Sequence, residues 1–408
     1  MPKKEDFILK DSPQSLIDAA AVAPSGRNYD PEYAKKPGAA RIEDILLGTK
    51  LACVAITDDE PGTLAKVGTL NPWHIESLKI ITGSVEEAHK PLSHILQQHF
   101  DLKVDTIINL TGWAGRHPID TQGFIAHNDD IIVVSFRCTT SAMDWYTNFA
   151  VGSSEWEIDE DLEQGHSGWC SCFEGRFFSK KPRVHTGFYN NILKTIPIFE
   201  NYVDPLLAFD QPPRKFYIVG HSLGAGLSTM ATAFFLQKYD WKTLPHKLIN
   251  ISAGTPRSMQ QDMVKIIEKQ LAELRSLDKA VIFRVVMNDD MVPRLPPRKL
   301  GYYHVGKLVF LTEDGHVLIG PRFSDPHKFD EKEMKELWKN NAIAEASLSD
   351  ASDDEKEESI EEGFKIETDG KAKSKYERKM AKIPRSIRDH CPDYYLTPLV
   401  KLYERENE

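Results

Sequence analysis

Apolar positions recur with one period before residue 100 and with another after residue 120. In 72–100, Ile75, Leu78, Ile81, Val85, Leu92, Ile95 and Leu96 fall near helical spacing. That spacing predicts one helix packed on a core and broken near Pro91, whose ring cannot donate into a helix interior. Just upstream, 44–56 reads as a short helix followed by a strand beginning Leu51-Ala52-Cys53-Val54. Beyond residue 120 the apolar runs shorten. Residues 123–126 and 131–136 are β-runs separated by Asn128-Asp129-Asp130, a turn-forming set. The second run is almost wholly apolar, which suits a strand covered on both faces. Runs 215–219, 247–252 and 281–287 have the same character, with helical patterns at 187–206 and 223–239. Residues 303–319 read as a hairpin turning at Asp314-Gly315, and 383–403 as a last ordered stretch. Strands alternating with helices predict an α/β fold with a mainly parallel central sheet flanked by helices. The apolar face of 72–100 needs cover, so this N-terminal helical extension is expected to pack against the sheet.

Composition changes the picture at the ends and in two insertions. Residues 1–40 are polar and punctuated by Pro and Gly, and read as a flexible arm. Residues 41–408 read as a single domain with an irregular insertion at 151–184 and an acidic, disordered insertion at about 341–376. The chain has 408 residues, 41% of them hydrophobic, enough to build a core without disulfides or metals. Its formal net charge is −10, and 345–362 alone holds nine acidic residues and one lysine. The remainder is nearly neutral, which argues against a nucleic-acid footprint. The five cysteines are odd in number and sparse. They read as free thiols of a reducing compartment rather than as a disulfide frame or metal site. The first residues, MPKKEDFILKDSPQ, lack the apolar core of a secretory signal, and no apolar run reaches the roughly 18 residues of a membrane span. A cytoplasmic location is therefore expected.

The chemistry centres on Gly220-His221-Ser222-Leu223-Gly224. An apolar strand runs straight into this G-x-S-x-G and a helix leaves it, which is the setting of a nucleophile elbow. Gly220 and Gly224 remove Cβ clashes around a strained serine, and the helix N-terminus offers N–H groups to a developing oxyanion. A serine hydroxyl needs a base, and the base needs an orienting acid. In this architecture the acid and then the histidine follow the serine. Asp289 and Asp290, at the end of the strand 281–287, both qualify as the acid. His304, His316, His327 and His390 remain as bases, with His304 the most structural in setting and His390 the leading choice.

Several segments, in order, resemble the class 3 (fungal-type) triacylglycerol lipase family of α/β-hydrolases. VVSFRCTTSAMDWYTNF resembles the family's strand, oxyanion turn and lid, and VHTGFYNN its V-H-x-G-F segment. VGHSLGAG resembles its elbow, MNDDMVPRLPP its acid segment, and SIRDHCPDYY its D-H-x-x-Y histidine segment. The resemblance implies an α/β-hydrolase fold. It selects Asp290 over Asp289 and His390 over the other histidines, and YYHVGKLVF makes His304 structural. It implies an oxyanion hole from the backbone N–H groups of Leu223 and Thr139. It implies a lid over 141–150 bearing Met143, Trp145 and Phe149, although from spacing alone Trp145 and Phe149 read equally as core. The chain departs from the family at Cys138, where relatives carry a glycine. If that glycine has a positive φ, a cysteine there is strained.

The implied function is a serine hydrolase cleaving carboxylic esters of lipids through Ser222, Asp290 and His390, with no metal and no cofactor. The implied partners are a lipid ester substrate and peripheral contact with a lipid droplet or membrane surface. The rival expectation is a lipase-like binding protein without hydrolysis, which the Cys138 departure keeps open.

Overall fold

The computed structural model describes residues 35–39, 41–57, 72–114, 117–138, 152–157, 181–312, 317–318, 380, 383 and 385–407. Most of the expected flexible arm, all of the expected lid, Thr139, the acidic insertion, His316 and His327 lie outside them.

The first described helices are α1 (Ile42–Val54), α2 (Pro72–Thr82) and α3 (Leu92–Phe100), followed by the strands β1 (Lys103–Ala114), β2 (His117–His127) and β3 (Ile131–Phe136). After β4 (Ser153–Glu155) and β5 (Arg183–His185), the long helix α4 (Thr186–Tyr202) leads to β6 (Lys215–His221) and α5 (Leu223–Lys238). Then come β7 (Lys247–Ala253), β8 (Met259–Gln260), α6 (Gln261–Ser276) and β9 (Ala280–Met287). The chain closes through β10 (Tyr302–Tyr303), β11 (Lys307–Leu311), β12 (Val317–Leu318), α7 (Arg385–Arg388) and α8 (Pro392–Asn407).

One eight-stranded sheet has the order β1-β2-β3-β6-β7-β9-β11-β12, and a four-stranded sheet the order β10-β8-β5-β4. Strands β3, β6, β7, β9 and β11 run parallel, while β1, β2 and β12 add antiparallel edges. The alternation of a pleated strand splits the core in two. Val133, Val219, Ile251 and Val285 face α1, α2, α3 and α8. Ile132, Val134, Ile218 and Ile282 face α4, α5 and α6. The N-terminal extension and the C-terminal helix therefore form one layer, in which α8 packs on both α1 and α2.

Several elements differ from the pattern reading. Residues 51–54 belong to helix α1 and not to a strand. A short apolar run cannot distinguish a strand from a helix buried all round. Here the helix crosses the sheet so closely that a Cβ on Gly48 would fall 2.3 Å from the Ile251 side chain. Strand β1 has no counterpart in the reading because it is an edge strand whose side chains are mostly solvated. Helix α6 was legible in principle, since Met263, Ile267, Leu271 and Leu274 recur at helical spacing and are buried. The two ends of the expected irregular insertion, 153–155 and 183–185, pair with each other as β4 and β5, too short to carry a period. Tyr302–Tyr303 joins that small sheet, so the expected hairpin is only β11 with β12.

The shared helical layer generates a prediction. Deleting residues 1–100 uncovers Val133, Val219, Ile251 and Val285 and removes Ile45, Leu51, Val54 and Leu78 from the core. Each fully buried side chain of this kind contributes about 1.5–3 kcal/mol, so the loss exceeds a typical total stability of about 5–15 kcal/mol. The truncated chain is expected to show no cooperative thermal transition by circular dichroism; a sharp transition would contradict the packing argument.

Candidate active site

The carboxyl ends of β3, β6, β7 and β9 meet at one edge of the sheet, where open α/β sheets place their ligands. Ser222 sits between β6 and α5 with φ 59° and ψ −124°, outside the regions an ordinary residue adopts. The turn is enforced by backbone contact. A Cβ on Gly220 would fall 2.2 Å from the Gly224 carbonyl, and one on Gly224 2.3 Å from the Phe136 oxygen. The Ser222 N–H donates to the Ala253 carbonyl at 2.9 Å, tying the elbow to β7. Leu223 opens α5, so its N–H has no partner within the helix ladder and projects at the serine end.

Strand β9 delivers Asp290 through a tight turn in which Asn288 has φ 27° and the Asp290 N–H donates to Met287 O at 2.9 Å. The carboxylate is fully buried. Its Oδ1 accepts the Val292 N–H at 2.8 Å, and its Oδ2 accepts the Tyr395 hydroxyl and lies 2.8 Å from His390 Nδ1. The other ring nitrogen, His390 Nε2, is 2.8 Å from Ser222 Oγ. With Nδ1–H donating to the buried carboxylate, Nε2 is left to accept the serine proton.

A cluster of charges holds the two loops that carry Asp290 and His390. Asp389 accepts the Asp289 N–H at 3.1 Å and lies 3.6 Å from Arg385 and from Arg388. Arg385 Nε is 3.2 Å from Asp289 Oδ2, and Arg294 reaches Asp289 from the other side. Asp289 therefore braces the loops while its neighbour faces the imidazole. His304 is pinned to the Pro293 carbonyl at 2.7 Å and does not enter the cluster.

The family Lipase (class 3) matches residues 133–300, which span most of β3, the Ser222 elbow and the loop bearing Asp290. Over that stretch the chain is similar to the class 3 lipases. Phospholipase A1-IIgamma of Arabidopsis thaliana is 26% identical over 255 residues, covering 59% of this chain and 56% of that protein. Secreted mono- and diacylglycerol lipase 1 of Fusarium solani is 30% identical over 173 residues, 42% of this chain and 41% of the relative. The chain thus spans about half the length of these curated relatives. The crystal structure of a mono- and diacylglycerol lipase from Aspergillus oryzae aligns at 20% identity and TM-score 0.45, covering 69% of this chain and 86% of that one.

The serine, acid and histidine singled out from the sequence converge to hydrogen-bond distance, and Gly220, His221, Leu223 and Gly224 surround them. Cys138 is not among the described residues with positive φ, so the strain anticipated from replacing a family glycine is absent. His221 is stacked on His390 with ring centroids 4.8 Å apart, and Tyr395 meets it edge-on at 5.4 Å. Burial, followed by the nearby His390 and His74, holds His221 well below its usual range and therefore neutral. Burial also drives the Tyr395 phenol well above its usual range, so it remains a donor to Asp290.

Three contributors were not singled out from the sequence. Gly254, at the tip of β7, has φ 61°, and a Cβ there would meet Asp290 Oδ2 at 3.0 Å and His390 Cε1 at 3.1 Å. Its signal was a glycine directly after an apolar strand, in Ser252-Ala253-Gly254-Thr255. Tyr395 was visible only as part of the histidine segment. His74 comes from α2, far upstream, and nothing local marks it.

Two predictions follow from these contacts. Gly254→Ala adds left-handed strain of about 1–2 kcal/mol and crowds the imidazole. It is expected to lower kcat on a soluble ester by roughly 10-fold or more while the protein stays folded; unchanged kcat would refute the crowding. The second concerns acid. Burial, then Arg137 and His390, lower His74 from 6.5 to about 4. The unfolded chain takes up protons before the folded one, so this stability is present above pH 6.5 and is lost as pH falls toward about 4. His221 and His304 are depressed in the same direction. Tm is expected to fall across that window, less steeply in His74→Gln; a parallel slope in the variant would count against the buried neutral imidazole.

Proposed function

We propose that the chain is a serine hydrolase of lipid carboxylic esters, of triacylglycerol lipase type. The single supporting observation is His390, whose two ring nitrogens lie 2.8 Å from Ser222 Oγ and 2.8 Å from the buried Asp290 carboxylate. Ser222 attacks the acyl carbonyl while His390 takes its proton and then passes it to the leaving alcohol. Asp290, with its charge supported by Val292 N–H and Tyr395, holds the imidazole tautomer and stabilises the imidazolium. Backbone N–H groups of Leu223 and Thr139 receive the oxyanion. Water activated by His390 then releases the fatty acid and restores the serine.

The two curated relatives are named for acting on phospholipid and on mono- and diacylglycerol, substrates that share a glycerol acyl ester. That bond is the proposed target here. Among the described residues no helix is long and apolar enough to cross a membrane, and the described cysteines Cys53, Cys138 and Cys391 are free thiols. The free thiols support a reducing, cytoplasmic setting. Access to lipid is proposed through peripheral contact with a droplet or membrane surface, with the 141–150 segment as the lid.

The test is hydrolysis of a short-chain p-nitrophenyl ester and of emulsified triacylglycerol, wild type beside Ser222→Ala. Activity on both is expected. The substitution should leave only oxyanion-hole catalysis, roughly 10³–10⁴-fold over water. Near-normal turnover in Ser222→Ala would refute the assignment. Failure of the folded wild type to react with a fluorophosphonate would favour the non-hydrolytic binding protein.

A further inference from the structure

His74 is a buried imidazole for which the proposed reaction has no use. It lies on α2, outside the 133–300 stretch that matches the family, yet it is only 3% exposed and sits beside the active site. Its Nε2 is 3.8 Å from the Cys138 sulfur, a contact of sulfur hydrogen-bond length, and its Nδ1 has no hydrogen-bond partner. Arg137 and His390 are the charges that act on it.

Cys138 is the second residue after β3, which ends at Phe136. There the Phe136 and Arg137 carbonyls lie against Gly224 in the first turn of α5, and Arg137 N–H still pairs with Gln122 O at 2.8 Å. Position 138 is thus where the backbone leaves the elbow toward residue 139. A glycine there carries no side chain by which to be held. A cysteine does, and its buried thiol meets an imidazole supplied by the N-terminal extension. Burial keeps both partners uncharged, with His74 at about 4 and the thiol raised to about 11.

We propose that His74 is a positioning residue for ester hydrolysis: by its contact with Cys138 it holds the backbone entering the oxyanion turn, so that helix α2 completes the active site. The inference rests on the ester-hydrolase reading above. Small displacements of a group that receives the oxyanion are costly, because misplacement by about 1 Å lowers rates by roughly 100-fold.

The test compares kcat and KM on a soluble p-nitrophenyl ester, with Tm, for His74→Ala, Cys138→Ala, the double variant and Ser222→Ala. His74→Ala is expected to lower kcat roughly 10-fold with KM within about twofold of wild type. The double variant should be no worse than the more damaging single one, because both cut one contact. His74→Gln and Cys138→Ser, which keep a polar partner, should each retain more kcat than the matching alanine variant. A kcat of His74→Ala within about twofold of wild type, multiplied losses in the double variant, or no advantage of the polar variants would overturn the proposal. If His74→Ala does not fold, the Cys138→Ser and Cys138→Ala pair carries the same comparison. Full activity in Ser222→Ala would instead sink the hydrolase reading itself, whereas an inactive Ser222→Ala beside a silent His74→Ala overturns only this inference.

Discussion

Everything at the active site depends on a place where three pieces of backbone touch. The end of β3, the last residues of β6 and the first turn of α5 approach so closely that neither Gly220 nor Gly224 has room for a Cβ. That approach lifts Ser222 out of ordinary backbone geometry and aims it above the sheet edge. It also sets the elbow against the strand end that leads to Cys138. The strain at the serine persists because surrounding contacts over-determine it, from the Ala253 carbonyl behind to the Phe136 carbonyl beside it.

Around that contact, the remaining groups are fixed by burial and charge. Asp290 is wholly buried, and its cost is met by a backbone N–H, a phenol and the imidazole. The loops bearing Asp290 and His390 are a hundred residues apart in sequence, and an Asp289–Arg385–Asp389 cluster joins them. Helix α8 contributes Tyr395 to the site and packs on α1 and α2, so the layer that covers one face of the sheet also holds the Asp290 carboxylate. His74 enters by the same route. The N-terminal helices are therefore part of the fold that carries the candidate site and not an appendage to it.

Much of this was legible before any coordinates. The strands at 131–136, 215–219, 247–252 and 281–287 announced themselves because both faces are covered and their runs are nearly all apolar. The elbow was legible because its chemistry is local: a strand, two glycines, a serine and a helix in unbroken succession. Choosing Asp290 over Asp289 was harder, since the two are adjacent and equally acidic. Residue-level reasoning left both open, and the family resemblance chose between them. Helix α1 was misread in part because a helix buried on all sides loses the polar face by which helices are recognised.

The sequence by itself determined the α/β class and singled out Ser222 in a strand–turn–helix elbow, with candidate acids and a histidine following it in the chain. These follow from short-range periodicity and from residue types whose chemistry has few alternatives. Tertiary structure alone decided the rest. It put the Gly254 backbone against the His390 imidazole, set Tyr395 on the Asp290 carboxylate, turned Asp289 outward to an arginine, and brought His74 from α2 onto Cys138. Each of those is a contact between positions distant in the chain. No local pattern encodes such a contact, because it exists only once the sheet has set the distances between its strands and the helices have packed on either face.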